Sequence, residues 1–287
     1  MYHAPVINDP SALFAALGHP HRLAIFRLLA RRAPDGVPAS EIAEAVGLRP
    51  NNASVHLAHL ARAGLIAGRR DGKLIRYGLD LAAAGGLIDY LALDCCRGRP
   101  ELCVAAAERL RSPEGNAMND RLYRVLFVCS GNSARSIFAE AILNRDGAGK
   151  FEAHSAGTRP RTELNPHAVA QLQKLGHDVS GLRAKHVSEF QGPDAPHFDF
   201  VFTVCDKAAN EECAPWPGQT ITGHWGVPDP VAATGTEAEK AFAFAEAYRM
   251  LKHRIGAFVN LSFDKLDRIA MQQAVDDIGR AEPAPAH

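Results

Sequence analysis

The sequence predicts two domains of different class: a mainly α N-terminal domain that ends in a basic hairpin, then an α/β domain built on a parallel sheet. Three observations carry this reading. The chain has 287 residues, 47% hydrophobic and 22% charged, which suffices for two ordinary cores and excludes a wholly disordered protein. Residues 9 to 80 read as short helices followed by two strands around Asp71-Gly72, whereas beyond Leu122 strand-like runs alternate with helical ones. The six cysteines fall into two triplets, Cys95, Cys96 and Cys103, then Cys129, Cys205 and Cys213. In a reducing compartment such clusters point to metal binding or redox catalysis.

In chain order, Asp9 or Ser11 can cap a first helix whose apolar positions include Leu13, Phe14 and Leu17. Gly18-His19-Pro20 interrupts it, and Leu23, Ile25, Phe26, Leu28 and Leu29 form the next apolar face. Ser40 is expected to cap a short helix over 41–46, which Gly47 ends. Arg49-Pro50-Asn51-Asn52 reads as a turn before a helix over 53–63, with Val55, Leu57 and Leu60 inward and Gly64 as its stop. A tight hairpin over 65–79 completes a winged helix-turn-helix arrangement. One more apolar helix is expected over 81–96, and Ser112-Pro113-Glu114-Gly115-Asn116 has linker composition. Beyond it, strands are expected at 124–128 and 198–204, and helices at 136–144, 165–175 and 237–259. The expected division is a winged helix-turn-helix domain over 1–105, a linker over 106–121, an α/β domain over 122–261 and a tail over 262–287.

Lys+Arg and Asp+Glu both number 32, but the balance is uneven. Residues 1–90 carry ten basic against seven acidic side chains, and within Arg49–Arg76 the ratio is six to one. A basic window in a neutral chain reads as a nucleic-acid footprint, with a solvated Arg-rich face as the alternative. The second helix of the motif would send Asn51, Asn52, Ser54, His56 and His59 toward base edges, with Arg62 near the backbone. Arg69, Arg70, Lys73 and Arg76 on the wing would neutralise phosphates. No stretch is apolar and long enough to span a membrane, and the N-terminus lacks the pattern of a signal peptide, so a cytoplasmic protein is expected.

LGHPHRLAIFRLL, SEIAEAVGL, ASVHLAHLARAGLI and the wing GRRDGKLIRYGL resemble the ArsR-type arsenic- and metal-responsive repressors over roughly residues 10–105. The resemblance implies a homodimer formed through the N-terminal domain on a palindromic operator. The cysteine motif that many members carry before the recognition helix is absent here. Cys95, Cys96 and Cys103, in a DCC-x6-C arrangement, instead resemble the arsenite site of a subgroup of these repressors. Trivalent arsenic takes three sulfurs, while the alternative, zinc, wants a fourth ligand that is not obvious locally.

In the second domain an apolar run leads into Cys129-Ser130-Gly131-Asn132-Ser133-Ala134-Arg135-Ser136, followed by a helix. A Cys-x5-Arg loop between strand and helix surrounds a tetrahedral oxyanion with N–H groups, and Arg135 adds a bidentate clamp. The same field is expected to lower the Cys129 pKa, to about 3.5–7.5 in such sites. With HSAGT at 154–158 and HWGVPDP at 224–230, the segment resembles low-molecular-weight tyrosine phosphatases and the arsenate reductases of that fold. Both imply Cys129 as nucleophile, Arg135 as clamp and Asp229 as general acid. Ala134 stands where the phosphatase loop usually has a second cysteine, and Val231-Ala232-Ala233 replace the aromatics after Asp-Pro. Cys205 and Cys213 supply the thiol pair a reductase needs. Glu140 and Ser155 match two potassium ligands of some reductases, but Lys185 replaces an expected aspartate, so no potassium is expected. The implied whole is an arsenic-responsive repressor fused to an arsenate reductase with a thioredoxin-type donor and no tightly bound cofactor, arsenite being the effector. The alternatives are a sensor with an idle second domain and a DNA-tethered phosphatase.

Overall fold

The computed structural model describes residues 10–95, 122–192, 195–211, 216 and 220–281. They divide into two compact units, one up to residue 95 and one from residue 122. Among the described residues, no helix is long and apolar enough to cross a membrane.

The first unit contains α1 (Pro10–Leu17), α2 (Pro20–Arg32), β1 (Val37–Pro38), α3 (Ala39–Ala45), α4 (Pro50–Arg62), β2 (Ile66–Asp71), β3 (Leu74–Leu79) and α5 (Leu81–Asp89). A π-helical turn, Tyr90–Cys95, continues from α5. Ile25, Leu28 and Leu29 of α2 pack with Ile42, Leu57, Leu60 and Leu65 in one core. Its three-stranded antiparallel sheet runs β1-β3-β2. The two-residue β1, too short to leave a pattern in the sequence, pairs Val37 with Tyr77 and Pro38 with Arg76. Gly72, at φ +59, makes the hairpin turn between Asp71 and Leu74.

Three local expectations are corrected. The fourth helix starts at Pro50, not after Asn52, because proline at the first helical position has no N–H to forfeit. Asn51 and Asn52 therefore belong to its first turn. Its buried stripe is Ala53, Leu57 and Leu60, at i, i+4 and i+7, which leaves Val55 on the other side and 56% exposed. Ser40 lies inside α3, which begins at Ala39 with Pro38 preceding it and no side-chain cap.

The second unit contains β4 (Tyr123–Cys129), α6 (Arg135–Asp146), β5 (Phe151–Gly157), α7 (Pro166–Lys174), β6 (Phe200–Thr203), α8 (Asp206–Asn210), β7 (Ile221–His224), α9 (Glu237–Val259) and α10 (Arg268–Arg280). Its strands form one parallel sheet in the order β5-β4-β6-β7. The central β4 is an almost continuous apolar run because it is covered on both faces. Phe202 stacks on Trp225 at 3.9 Å between centroids, and the Trp225 indole N–H donates to the Val275 carbonyl at 3.1 Å. Val275 lies on α10, so the residues expected as a tail are part of the core. Phe263, Met271 and Val275 are buried there, and Asp267 caps α10 by accepting from the Ala270 N–H. The i, i+4, i+7 spacing of Met271, Val275 and Ile278 is the signal that composition alone obscured.

Candidate active site and nucleic-acid interface

The strand β4 ends on Cys129 and α6 begins on Arg135, so the loop between them sits at the carboxyl edge of the sheet, before a helix N-terminus. Asn132 adopts the left-handed region, φ 41, and is wholly buried. Its side chain makes that conformation tenable. Asn132 Nδ2 donates to Ser136 Oγ (2.9 Å) and Ser155 Oγ (2.8 Å), while Oδ1 accepts the Lys185 N–H at 2.6 Å. The carbonyls of Cys129, Ser130, Gly131 and Ser133 accept from the N–H groups of Thr158, Arg159, Arg161 and Asn165. With those carbonyls turned toward the segment after β5, the Asn132 N–H turns in to Cys129 Sγ at 3.1 Å. Gly157 permits this closure. A Cβ there would lie 2.7 Å from the Ser130 carbonyl oxygen and 3.0 Å from Asn132 Cβ.

Behind the loop, Lys185 Nζ donates to both carboxylate oxygens of Glu140 (3.0 and 3.1 Å), and both side chains are more than nine-tenths buried. Ser155 Oγ also donates to Glu140. Lys185 thus sets a buried ammonium on Glu140 while its backbone N–H holds the Asn132 side chain.

Cys129 Sγ lies 2.9 Å from Ser136 Oγ, and Ser130 Oγ lies 3.6 Å from Cys205 Sγ. Arg135 reaches Asp229 Oδ2 at 3.0 Å and donates to the Val227 carbonyl at 3.2 Å. Cys129, Ser130, Arg135, Ser136, Asp229 and Cys205 therefore converge. Cys213 lies outside the described residues. The expected lowering of the Cys129 pKa is reversed: burial pushes the thiol up, and the hydrogen bonds from Ser136 and Asn132 offset this only partly. The nearby Cys205 raises it further. Sequence reasoning missed the Val227 carbonyl as a brace for Arg135, and nothing in a residue's identity marks a backbone acceptor. It also gave no role to His224, although HWGVPDP contains it. His224 contacts Thr203 and Asp206.

In the first unit Asn51, Asn52, Ser54, His59 and Arg62 lie exposed on α4, and Arg69, Arg70 and Lys73 lie exposed on the wing. Two of the expected contact residues also have partners within the unit. His56 is half-buried against the rings of His19 (4.7 Å) and His21 (5.5 Å). Burial first, then the neighbouring His19 and His21, lower its pKa, so it packs as a neutral ring. Arg76 pairs with Asp71 at 2.8 Å and donates to the Gly36 carbonyl at 3.1 Å, bracing the wing. Cys95 is exposed, and Cys96 and Cys103 lie outside the described residues.

Residues 124–270 match the family described as low molecular weight phosphotyrosine protein phosphatase, and residues 17–69 match a helix-turn-helix domain. An arsenate reductase of Bacillus licheniformis is 35% identical over 135 residues, covering 47% of this chain and 93% of that protein. A glutaredoxin arsenate reductase of Synechocystis is 33% identical over 107 residues, covering 37% of this chain and 78% of that protein. Among solved structures, an arsenate reductase from Archaeoglobus fulgidus is 28% identical, covering 46% of this chain and 98% of that one, with a TM-score of 0.36.

Proposed function

Because the chain belongs to the low molecular weight phosphotyrosine protein phosphatase family and carries an ArsR-type helix-turn-helix ahead of that domain, we propose that it is an arsenic-responsive repressor fused to a thiol-dependent arsenate reductase. The second domain is an arsenate reductase of the phosphatase fold. The Cys129 thiolate attacks arsenic of an arsenate held by the loop N–H groups and Arg135, forming an S–As bond. Asp229 gives its proton to the departing oxygen, which leaves as water. Cys205 thiolate then attacks Cys129 Sγ. The S–As bond breaks, its electron pair stays on arsenic, and arsenite departs from a Cys129–Cys205 disulfide. Cys213 attacks Cys205 and frees Cys129, and a thioredoxin-like dithiol reduces the Cys205–Cys213 bond.

The observation that carries this reading is the thiol of Cys205 beside the loop, 3.6 Å from Ser130 Oγ. A phosphatase, which uses water to discharge its cysteinyl intermediate, has no use for a second thiol there. The test is an arsenate reduction assay on the purified chain with thioredoxin and its reductase, beside an aryl phosphate assay. Arsenite production that exceeds phosphate release supports the reductase. Efficient aryl phosphate hydrolysis without arsenite would replace it by a DNA-tethered phosphatase.

For the first domain, the reading is a cytoplasmic repressor that binds operator DNA as a homodimer. Phe14 on α1, Ile88 on α5 and Leu91 in the π-helical turn are exposed apolar side chains that would supply a surface for the second copy. Arsenite on Cys95, Cys96 and Cys103 would be the releasing signal, so the product of one domain is the effector of the other.

A further inference from the structure

The short helix α8 separates the two thiols that exchange electrons, and it is pinned at both ends. Cys205 is the residue that caps it, accepting the Ala208 N–H at 3.4 Å through its sulfur. At the start, His224 Nε2 lies 2.9 Å from Asp206 Oδ1, and His224 Nδ1 lies 2.9 Å from Thr203 Oγ1. One tautomer satisfies both: the Thr203 hydroxyl donates to Nδ1, and the Nε2–H donates to Asp206. The ring is fixed further by lying over Gly226, where a Cβ would come within 2.6 Å of Nε2. Beyond the end of α8, Glu211 pairs with Arg159. The Arg159 N–H also donates to the Ser130 carbonyl at 2.9 Å, so this second tether runs straight back to the oxyanion loop.

We propose that His224–Asp206 and Arg159–Glu211 are latches that hold α8 in the register where the Cys205 thiol faces the Cys129 loop, making His224 and Arg159 positioning residues for the first thiol exchange. The inference rests on the relay described above. Disulfide bonding requires Cα atoms about 4.4–6.8 Å apart, so passing from a Cys129 partner to a Cys213 partner obliges Cys205 to change neighbours. Pairs this exposed are individually weak, which suits an element that must hold Cys205 for one exchange and release it for the next. No bond is made or broken by the latches. They set only how often Cys205 Sγ stands in line with the S–As bond.

The test isolates that exchange in the full-length Cys213→Ser chain, where the relay stops at Cys129–Cys205. Arsenate is mixed with the reduced protein, the reaction is acid-quenched, and the disulfide is followed by peptide mass mapping. Phosphate affinity is measured alongside. Asp206→Ala and Glu211→Ala should each slow disulfide formation about three- to fivefold, and together about tenfold, with phosphate affinity unchanged. Asp206→Asn, which keeps an acceptor for His224, should restore most of the rate. Unchanged rates in the double variant would overturn the latches while leaving the relay intact. A parallel loss of phosphate affinity would also overturn them, since the loop itself would then be disturbed. No disulfide in Cys213→Ser itself would overturn the relay and the latches together.

Discussion

Cys129 is buried where a thiolate is costly, and its neighbours meet that cost only in part. Ser136 and the Asn132 N–H stand at 2.9 and 3.1 Å from the sulfur, close enough to stabilise a thiolate once it forms. Burial still dominates and holds the thiol above its ordinary pKa. The sign is testable. Alkylation of Cys129 by iodoacetamide should rise with pH to an inflection above that of an ordinary thiol, and Ser136→Ala should move the inflection higher still. An inflection near or below neutrality would mean that the loop dipoles outweigh burial. The chain Cys129-x5-Arg135 was legible as chemistry because strand, loop and helix follow one another in sequence. The engagement of Arg135 with Asp229, 94 residues away, was not, nor was the burial that decides the sign of the Cys129 shift.

Among the elements, α6 and the segment after α7 meet through a buried charge pair. Lys185 and Glu140 are each surrounded by protein, so removing one partner strands the other. Lys185→Met should cost about 3–5 kcal/mol of stability in denaturant unfolding, while Lys185→Met with Glu140→Leu should recover much of it. Equal losses in both would show that the pair matters by shape and not by charge. Lys185 drew notice in the sequence only as a departure from an aspartate. Elsewhere the legibility of elements followed their length. The 23-residue α9 has the bounds the sequence predicts, Glu237–Val259, and the structure adds a Thr236/Glu239 capping box at its start. Pro and Ala crowd the residues just after α10 and give the segment the composition of a tail, yet its Val275 carbonyl satisfies the buried Trp225. On α4, Val55 and His56 exchanged their expected places because one residue is a 100° rotation on a helix.

The molecule joins a reader of DNA to a source of arsenite, and each half makes a separate demand. In the proposed repressor, the exposed Arg69 and Arg70 would contribute to the sequence-independent part of DNA affinity. Replacing each with Ala should weaken binding to specific and random DNA alike and reduce the salt slope by about one per arginine. Arg76→Ala should act differently, loosening the wing that it braces through Asp71 and Gly36. A salt slope unchanged in Arg69→Ala/Arg70→Ala would place the phosphate contacts elsewhere. Coupling between the halves requires that arsenite bind the DNA-free state more tightly than the bound one, since equal affinity shifts nothing. The catalytic half is the premise of that coupling, and its distinguishing claim is that two further thiols finish what Cys129 begins. The most direct measurement counts arsenite released per chain by Cys213→Ser supplied with excess arsenate, thioredoxin and its reductase. About one arsenite per chain is expected, followed by arrest with Cys129 and Cys205 joined, against continuous turnover in the wild type. Sustained multiple turnover by Cys213→Ser would contradict it.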